Sequence, residues 1–300
     1  MSSTFLLFLV FTLVPAGILE ILKDSDSELE QRLLDVEEKE EEEFEGAGHW
    51  EPEIRELCDN PELDVTWTRA DALCFHKGSY FDRLRIEVLS WQPGLFVYRD
   101  LLTKSQVFNY LELLEELEFG KEEVVAEDGT TEVSDYRVAN GTVTPDTDFE
   151  IAEDIVKSVR RRIPNVNFDS SELLTALKYG PGGHYAAHYD YLDDEFVSGN
   201  DSMKDYGNRW ATLIMAFKTA EEGGGTVFPE LQAVVRPNPG DGIFWFNMMG
   251  DLTQEDLSLH GGCPIYSGQK VISTLWIRSR FQPILEIASQ GSIPAGLMFD

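Results

Sequence analysis

Apolar residues at helical spacing predict two amphipathic helices in the first half of the chain. The first is expected to begin at Thr103 and to end near Gly120, since Thr is a good N-cap and Gly a stop signal. The second is expected from Phe149 to Arg162 and is ended by Pro164. The inward stripes are Val107, Leu111, Leu114 and Leu117 in the first helix, and Ile151, Ile155, Val159 and Ile163 in the second. Such stripes are packing faces.

The pattern changes to short apolar segments separated by turn residues after about residue 173, and two similar short segments precede the helices. The expected strands are Leu173–Tyr179, Arg209–Phe217, Gln232–Arg236, Gly242–Asn247 and Lys270–Ile277, with two more between Arg85 and Tyr98 around Pro93-Gly94. Runs of Gly and Pro between these segments predict turns. Many short strands at near-regular spacing favour a jelly roll or a barrel. The expected fold is therefore α+β or mainly β, with helices flanking a β core.

The N-terminal region departs from this globular pattern. An apolar run from Phe5 to Leu19 is too short for a membrane span of about 20 residues, and small residues near Ala16 suit signal-peptidase cleavage. We expect a signal peptide over residues 1–17, with an uncleaved anchor as the alternative, and no membrane span in the mature chain. Residues 18–56 are expected to form a solvated or disordered acidic leader. A short helix through Leu29, Leu33 and Val36 is the alternative there.

The formal net charge of -31 bears on partners. Binding to nucleic acid needs a basic footprint, so nucleic acid is excluded as a partner. In a secreted chain, Cys58 and Cys74 predict a disulfide, with two free thiols as the alternative. A zinc site that adds His76 is a further alternative, but it lacks a fourth ligand nearby. Asn140 and Asn200 each begin a glycosylation sequon.

The most informative chemistry lies in His188-Tyr-Asp190 and in the later His260 and Lys270. A His and an Asp two apart on an extended strand point to the same side and can reach one metal ion. Two imidazoles and one carboxylate, with positions left open, form the facial triad of non-heme Fe(II) oxygenases. A lysine on a neighbouring strand is the counter-ion that a 2-oxoglutarate carboxylate needs.

The other histidines are given lesser roles. His184 is expected in a turn near the mouth of the site, because glycines surround it. His49 and His76 are expected at the surface.

An ordered set of motifs carries a family resemblance. The motifs are Tyr179-Gly-Pro-Gly-Gly-His-Tyr-Ala-Ala-His-Tyr-Asp190, Gly207-Asn-Arg-Trp-Ala-Thr-Leu213, Glu222-Gly-Gly-Gly-Thr-Val-Phe-Pro229, His260-Gly-Gly-Cys-Pro264 and Gly268-Gln-Lys270. From about Leu57 to Phe281 the chain resembles the catalytic domain of animal collagen prolyl 4-hydroxylase alpha subunits. The resemblance implies a double-stranded β-helix, a catalytic domain over residues 57–282 and a C-terminal tail over 283–300.

The resemblance also implies cofactors and residue roles. Fe(II), 2-oxoglutarate, O₂ and ascorbate are the expected cofactors and cosubstrates, with a proline-rich or collagen-like polypeptide as the substrate. His188, Asp190 and His260 would bind the metal, and Lys270, Tyr179 and Thr212 would line the 2-oxoglutarate pocket. The expected peptide contacts are Tyr185, Arg209, Trp276 and Arg137.

Three further expectations follow from the same resemblance. Cys263 would be a free, buried thiol, because the partner that the family usually supplies after the last strand is missing. A protein disulfide isomerase subunit is a candidate partner. The expected location is the endoplasmic reticulum lumen or the secreted space.

Departures from the family pattern keep two alternatives open. Ala139 stands where the family has Ser, and Val143 stands where an aromatic residue is usual. The chain also has no room for the dimerisation and peptide-binding domains that precede the catalytic domain in the family. One alternative is a 2-oxoglutarate oxygenase of the same fold that acts on another peptide or a small molecule. The other is a jelly-roll binding module without catalysis.

Overall fold

The computed structural model describes residues 44–60, 73–79, 82–125, 131–192, 201–288 and 290–299. The expected signal peptide and the leader up to residue 43 lie outside these residues, and so does Asn200. The compact unit that contains the β core begins at Glu45. Residues 45–56, expected in the leader, are therefore part of the fold.

The two long helices form where the apolar periodicity predicts them. The helices are α1 (Pro52–Asp59), α2 (Lys104–Glu116), α3 (Glu150–Arg162), α4 (Asp201–Tyr206) and α5 (Pro283–Ile287). Helix α2 begins with a capping box, because the Thr103 hydroxyl accepts from the Gln106 amide and the Gln106 side chain accepts from the Thr103 backbone. This reciprocal pair satisfies two N–H groups that a helix start leaves without partners.

The strands are short, and every described pair of neighbours is antiparallel. They are β1 (Leu73–Ser79), β2 (Asp82–Trp91), β3 (Gly94–Arg99), β4 (Gly120–Lys121), β5 (Val124–Val125), β6 (Thr131–Glu132), β7 (Arg137–Val138), β8 (Asn140–Val143), β9 (Thr175–Tyr179), β10 (His184–His188), β11 (Arg209–Lys218), β12 (Glu222–Gly223), β13 (Thr226–Phe228), β14 (Ala233–Val235), β15 (Gly242–Phe246), β16 (His260–Gly262), β17 (Ile265–Ser267) and β18 (Lys270–Arg278). The larger sheet has the order β1-β2-β3-β15-β11-β18-β9-β8-β4, and the smaller has the order β14-β13-β16-β10-β7.

The two sheets enclose a hydrophobic cluster. Val97, Ile214 and Ile272 contribute to it from the larger sheet, and Phe228 and Val235 from the smaller. This arrangement confirms the double-stranded β-helix with flanking helices.

A second, larger cluster lies where the helices pack on the larger sheet. Tyr110 from α2, Ile155 from α3 and Phe217 from β11 are all fully buried in it. The segment assigned to the C-terminal tail joins the same cluster through Ile284 and Met298. The larger sheet is therefore apolar on both faces, as its nearly continuous apolar strands require.

The disulfide prediction is wrong. Cys58 is bonded to Cys263, with a Cα–Cα distance of 5.7 Å, and Cys74 is free and exposed. The physical reason is the packing of α1. This helix contacts β13 and β14 of the smaller sheet, and Cys263 directly follows β16 of that sheet. Cys74 instead lies on β1, at an edge of the larger sheet.

Two further observations concern the chain's surroundings. In the part of the chain that the structure describes, no helix combines the length and the apolar character needed to cross a bilayer. Asn140 lies on β8 and is exposed, so its glycosylation stays a prediction.

Candidate functional site

The candidate metal ligands come from two neighbouring strands of the smaller sheet. His188 ends β10, His260 begins β16, and the two are opposite each other in the register. His188 Nε2 lies 3.7 Å from Asp190 Oδ1, and His260 Nε2 lies 3.6 Å from Asp190 Oδ2. One ligand atom from each residue falls within 4.8 Å of the others. Asp190 lies just beyond the strand rather than on it, which corrects the expected local geometry but still brings its carboxylate to the two imidazoles.

Backbone carbonyls orient both imidazole rings. His188 Nδ1 lies 2.8 Å from the Ala186 carbonyl, and His260 Nδ1 lies 2.9 Å from the Ser258 carbonyl. A carbonyl oxygen only accepts, so each Nδ1 carries a proton and each Nε2 is the nitrogen left to face the carboxylate. Burial, and then the neighbouring His260, lower the pKa of His188 to about 3. A neutral imidazole is the form that ligates a metal.

Hydrogen bonds behind the triad hold the carboxylate. The Thr212 hydroxyl donates to Asp190 Oδ2 at 2.7 Å, and Asn247 Nδ2 donates to Thr212 Oγ1 at 2.8 Å. Asp190, Thr212 and Asn247 are all buried. Partners of this kind orient metal ligands and tune their basicity.

A buried lysine lies at the far end of the same pocket. Lys270 begins β18 opposite Tyr179 of β9, and its Nζ is 5.7 Å from the centre of the Tyr179 ring. Burial lowers the pKa of Lys270 to about 8. Among the described residues, no carboxylate or other acceptor is bonded to its ammonium. A buried cation without a counter-charge is costly, so this end of the pocket fits an anion.

The pocket itself joins the triad to the lysine. Its space is about 410 Å³, part of it open to solvent, and its lining includes the three candidate ligands, Thr212, Tyr179 and Lys270. The walls between the two ends are Leu177, Ile214 and Ile272. An elongated anion with one end at the metal ligands and the other at Lys270 would therefore contact apolar side chains along its length.

The predicted peptide contacts line the same pocket or lie next to it. The Tyr185 ring stacks on the His188 ring at 3.5 Å between centroids, and the Arg137 guanidinium lies 4.7 Å from the Tyr185 centroid. Arg209 lies 4.2 Å from the Trp276 ring centroid. Arg137, Tyr185 and Trp276 line the pocket, whereas Arg209 contacts it through Trp276.

Carboxylates hold both arginines. Glu172 accepts two hydrogen bonds from Arg209, at 2.6 and 2.9 Å, and also pairs with Arg278 at 2.9 Å. Arg137 pairs with Glu122 at 2.8 Å. Each guanidinium is thus fixed against its aromatic neighbour.

The remaining histidines are placed differently from one another. His184 is not in a turn near the mouth. It begins β10 and is fully buried, with its ring nitrogens 3.1 Å from the Gly182 carbonyl and 3.0 Å from the Asp135 carbonyl. The turn precedes it, at Gly182, whose φ of 77° suits glycine. His49 and His76 lie at the surface, as expected.

Two residues that support the site carry no signature in the sequence. Asn247 directly follows the apolar strand β15, and in the sequence it is typical of the polar residue that ends a strand. Glu172 precedes β9, and its sequence context is typical of a surface carboxylate. A buried partner for Thr212 or Arg209 has no signature in spacing, because the contact depends on which strands become neighbours.

Comparison with known proteins places this geometry in a family. Residues 174–278 match the model of the 2OG-Fe(II) oxygenase superfamily. A probable prolyl 4-hydroxylase 3 from Arabidopsis thaliana is 36% identical over 214 residues, which cover 64% of this chain and 71% of the relative. Probable prolyl 4-hydroxylase 10 from the same plant is 32% identical over 216 residues, with 64% and 71% covered. Prolyl 4-hydroxylase subunit alpha-2 from Caenorhabditis elegans is 29% identical over 207 residues, 66% of this chain and 36% of the subunit.

Among solved structures, the viral collagen prolyl hydroxylase from Paramecium Bursaria Chlorella virus-1 gives a TM-score of 0.48. It is 24% identical and covers 61% of this chain and 95% of its own. The identity to the plant enzymes, and the share of them that this chain spans, decide the classification. The chain belongs to the prolyl 4-hydroxylase family of 2OG-Fe(II) oxygenases.

Proposed function

We propose that this protein is a dioxygenase that uses Fe(II), 2-oxoglutarate and O₂ to hydroxylate peptidyl proline to 4-hydroxyproline. The observation that carries the proposal is one pocket lined by two imidazoles, a carboxylate and the buried Lys270 ammonium. A donor set of two nitrogens and one oxygen, with positions left open, fits ferrous iron.

The chain's residues fit both the metal and the cosubstrate. His188, Asp190 and His260 would hold the ion. When bound, Fe(II) with 2-oxoglutarate supplies the oxidising chemistry, in which the cosubstrate becomes succinate and CO₂ and one oxygen atom enters a C–H bond. Lys270 would bind the distal carboxylate of the cosubstrate through a charge-assisted hydrogen bond.

The mouth of the pocket suits an extended, proline-rich chain. Tyr185 and Trp276 offer aromatic surfaces, and Arg137 and Arg209 are stacked on them. A polyproline-II ligand docks on aromatic-lined grooves and loses little entropy, because it is already extended. The groove would therefore place a proline ring beside the metal ligands, since the Tyr185 ring stacks on the His188 ring.

The finer parts of the proposal concern substrate, reductant, partner and location. We propose a procollagen-like polypeptide as the substrate and ascorbate as the reductant that keeps the iron ferrous. The lumen of the endoplasmic reticulum or the secreted space is the proposed location, supported by the Cys58–Cys263 disulfide. A protein disulfide isomerase subunit is the partner to test by co-purification.

The test is 2-oxoglutarate turnover with purified protein, Fe(II) and ascorbate, with and without a (Pro-Pro-Gly)n peptide. We expect the peptide to stimulate succinate formation and to gain the mass of oxygen at proline. A matched peptide with alanine in place of proline should stimulate nothing. Turnover that no proline peptide stimulates would assign the site to another substrate. A wild-type protein that binds no Fe(II) would leave a binding module as the function.

A further inference from the structure

The two hydrogen bonds that run from Asn247 through Thr212 to Asp190 indicate a role for Asn247, which does not line the pocket. Asn247 follows β15 and is fully buried, and Thr212, which it contacts, is almost fully buried in β11. The Asn247 backbone is fixed on both sides. Its N–H donates to the Trp210 carbonyl at 2.8 Å, and its carbonyl accepts from the Glu255 N–H at 2.9 Å. These backbone bonds therefore fix the position of Asn247 from outside the pocket.

The numbers of donors and acceptors in these groups fix the direction of both hydrogen bonds. An ionised carboxylate only accepts, so the single proton of the Thr212 hydroxyl points to Asp190 Oδ2. The Thr212 oxygen must then accept the bond from Asn247, and of the two ends of that amide only the NH₂ group can donate. Each bond polarises the next in a buried setting.

With these directions, one carboxylate oxygen of Asp190 accepts a hydrogen bond from Thr212, and the other accepts none from the described residues. Oδ2 of Asp190 accepts the hydrogen bond from the Thr212 hydroxyl and lies 3.6 Å from His260 Nε2. In the described part of the chain, Oδ1 accepts no hydrogen bond and lies 3.7 Å from His188 Nε2. We propose that Asn247 is a positioning residue that acts through Thr212 to present Oδ1 of Asp190 to the metal. The inference rests on the metal site of the proposed function and on no property of the substrate.

The experiment uses Co(II) as a spectroscopic stand-in for Fe(II), with no cosubstrate or peptide present. The dissociation constant and the visible absorption spectrum of the Co(II) protein are measured for each variant. Thr212→Val should weaken Co(II) binding by about 10- to 100-fold and change the spectrum, the usual cost of losing a group that orients a metal ligand. Thr212→Ser keeps the hydroxyl and should restore both readouts.

The decisive measurement is the coupling between the two residues. Asn247→Leu should weaken Co(II) binding when Thr212 is present and should have little further effect in the Thr212→Val protein, because the two act in series. Asn247→Asp has the same size and, when ionised, can only accept, so the Thr212 hydroxyl would donate to it instead of to Asp190. It should change the spectrum when Thr212 is present and not in the Thr212→Val protein. If Asn247→Leu does not fold, the Asn247→Asp protein tests the same coupling.

Thr144→Val is the matched control, since Thr144 is also a buried threonine with a hydrogen-bonded hydroxyl, 2.6 Å from the Tyr110 hydroxyl. It should leave Co(II) affinity and spectrum unchanged. Equal effects of the Asn247 variants with and without the Thr212 hydroxyl would overturn the inference while leaving the metal site intact. A wild-type protein that binds no Co(II) would overturn the metal site and the inference together.

Discussion

Replacing Lys270 with methionine should stabilise the metal-free protein and should greatly weaken its binding of 2-oxoglutarate. Lys270 is only 6% exposed, and burial lowers its pKa from an ordinary value of 10.5 to about 8. At 1.36 kcal/mol for each pKa unit, the buried ammonium costs the fold roughly 3 kcal/mol at neutral pH. Methionine fills similar space without a charge, so Lys270→Met should raise the free energy of unfolding by up to that amount.

The free energy of unfolding should also depend on pH in a definite direction. The folded-state pKa of Lys270 lies below the unfolded one, so the unfolded chain holds more protons between about pH 8 and 10.5. The wild-type contribution from this group therefore makes the free energy of unfolding rise with pH across that window. Lys270→Met should lack this rise, and the difference between the two proteins should shrink as the pH increases.

The cosubstrate should offset most of this difference in stability. Leaving the distal carboxylate without a counter-charge costs about 3–5 kcal/mol, so Lys270→Met should bind 2-oxoglutarate a few hundred-fold more weakly or worse. In the wild-type protein loaded with Mn(II), 2-oxoglutarate at about 100 times its dissociation constant adds about 2.7 kcal/mol, which the variant does not gain.

The assay is urea unfolding of metal-free protein from pH 6 to 10, together with calorimetric titration of 2-oxoglutarate into the Mn(II) form. Lys178→Met is the matched control from the neighbouring strand β9. Its ammonium donates to the Leu114 carbonyl at 2.9 Å and lies 3.9 Å from the Phe119 ring centroid, so its loss should bring no gain in stability and no change in 2-oxoglutarate affinity. A Lys270→Met protein that is less stable than wild type, or that still binds 2-oxoglutarate normally, would refute the reasoning.

Three other predictions follow from the site and the fold. His188→Ala should abolish Fe(II) binding and 2-oxoglutarate decarboxylation while leaving the circular dichroism spectrum unchanged, because one of three ligands is lost; wild-type turnover would contradict the triad. Peptide mapping under non-reducing conditions should find Cys58 linked to Cys263 and Cys74 open to alkylation, and Cys58→Ser should lower the free energy of unfolding by about 2–5 kcal/mol; a linked Cys74 would contradict the structure. Trp276→Ala should raise the peptide KM while peptide-independent decarboxylation stays nearly constant, since it removes stacking surface and no metal ligand; a change confined to the 2-oxoglutarate KM would move Trp276 to the other end of the pocket.

Features that depend on local spacing could be predicted from the sequence. The stripe that includes Val107 and Leu114 gave helix α2, with Thr103 as its cap. The apolar segments gave the main strands to within about two residues. The spacing in His188-Tyr-Asp190 also indicated the metal site, although the carboxylate reaches it from beyond the strand end rather than from the strand.

Features that depend on which distant segments become neighbours could not be predicted. Spacing alone pairs Cys58 with the nearest downstream cysteine, because it carries no information about the packing of α1 on the smaller sheet. Asn247 looked like the polar end of an apolar strand, since its partner Thr212 becomes adjacent only through the pairing of β15 with β11. His184 was placed in a turn because its glycine neighbours dominated a purely local argument.

The disulfide has a consequence for the order of events during synthesis. Its cysteines are 205 residues apart, whereas Cys74 follows Cys58 closely. At about 5–20 residues per second, Cys58 and Cys74 coexist for roughly ten seconds or more before the ribosome adds Cys263. In an oxidising compartment such as the one proposed above, the first oxidation open to the growing chain is a bond between Cys58 and Cys74. The final bond then requires the Cys263 thiolate to attack Cys58 and release Cys74, which is thiol–disulfide exchange. A pulse-labelled chain should show the early bond first and the Cys58–Cys263 bond only after release from the ribosome.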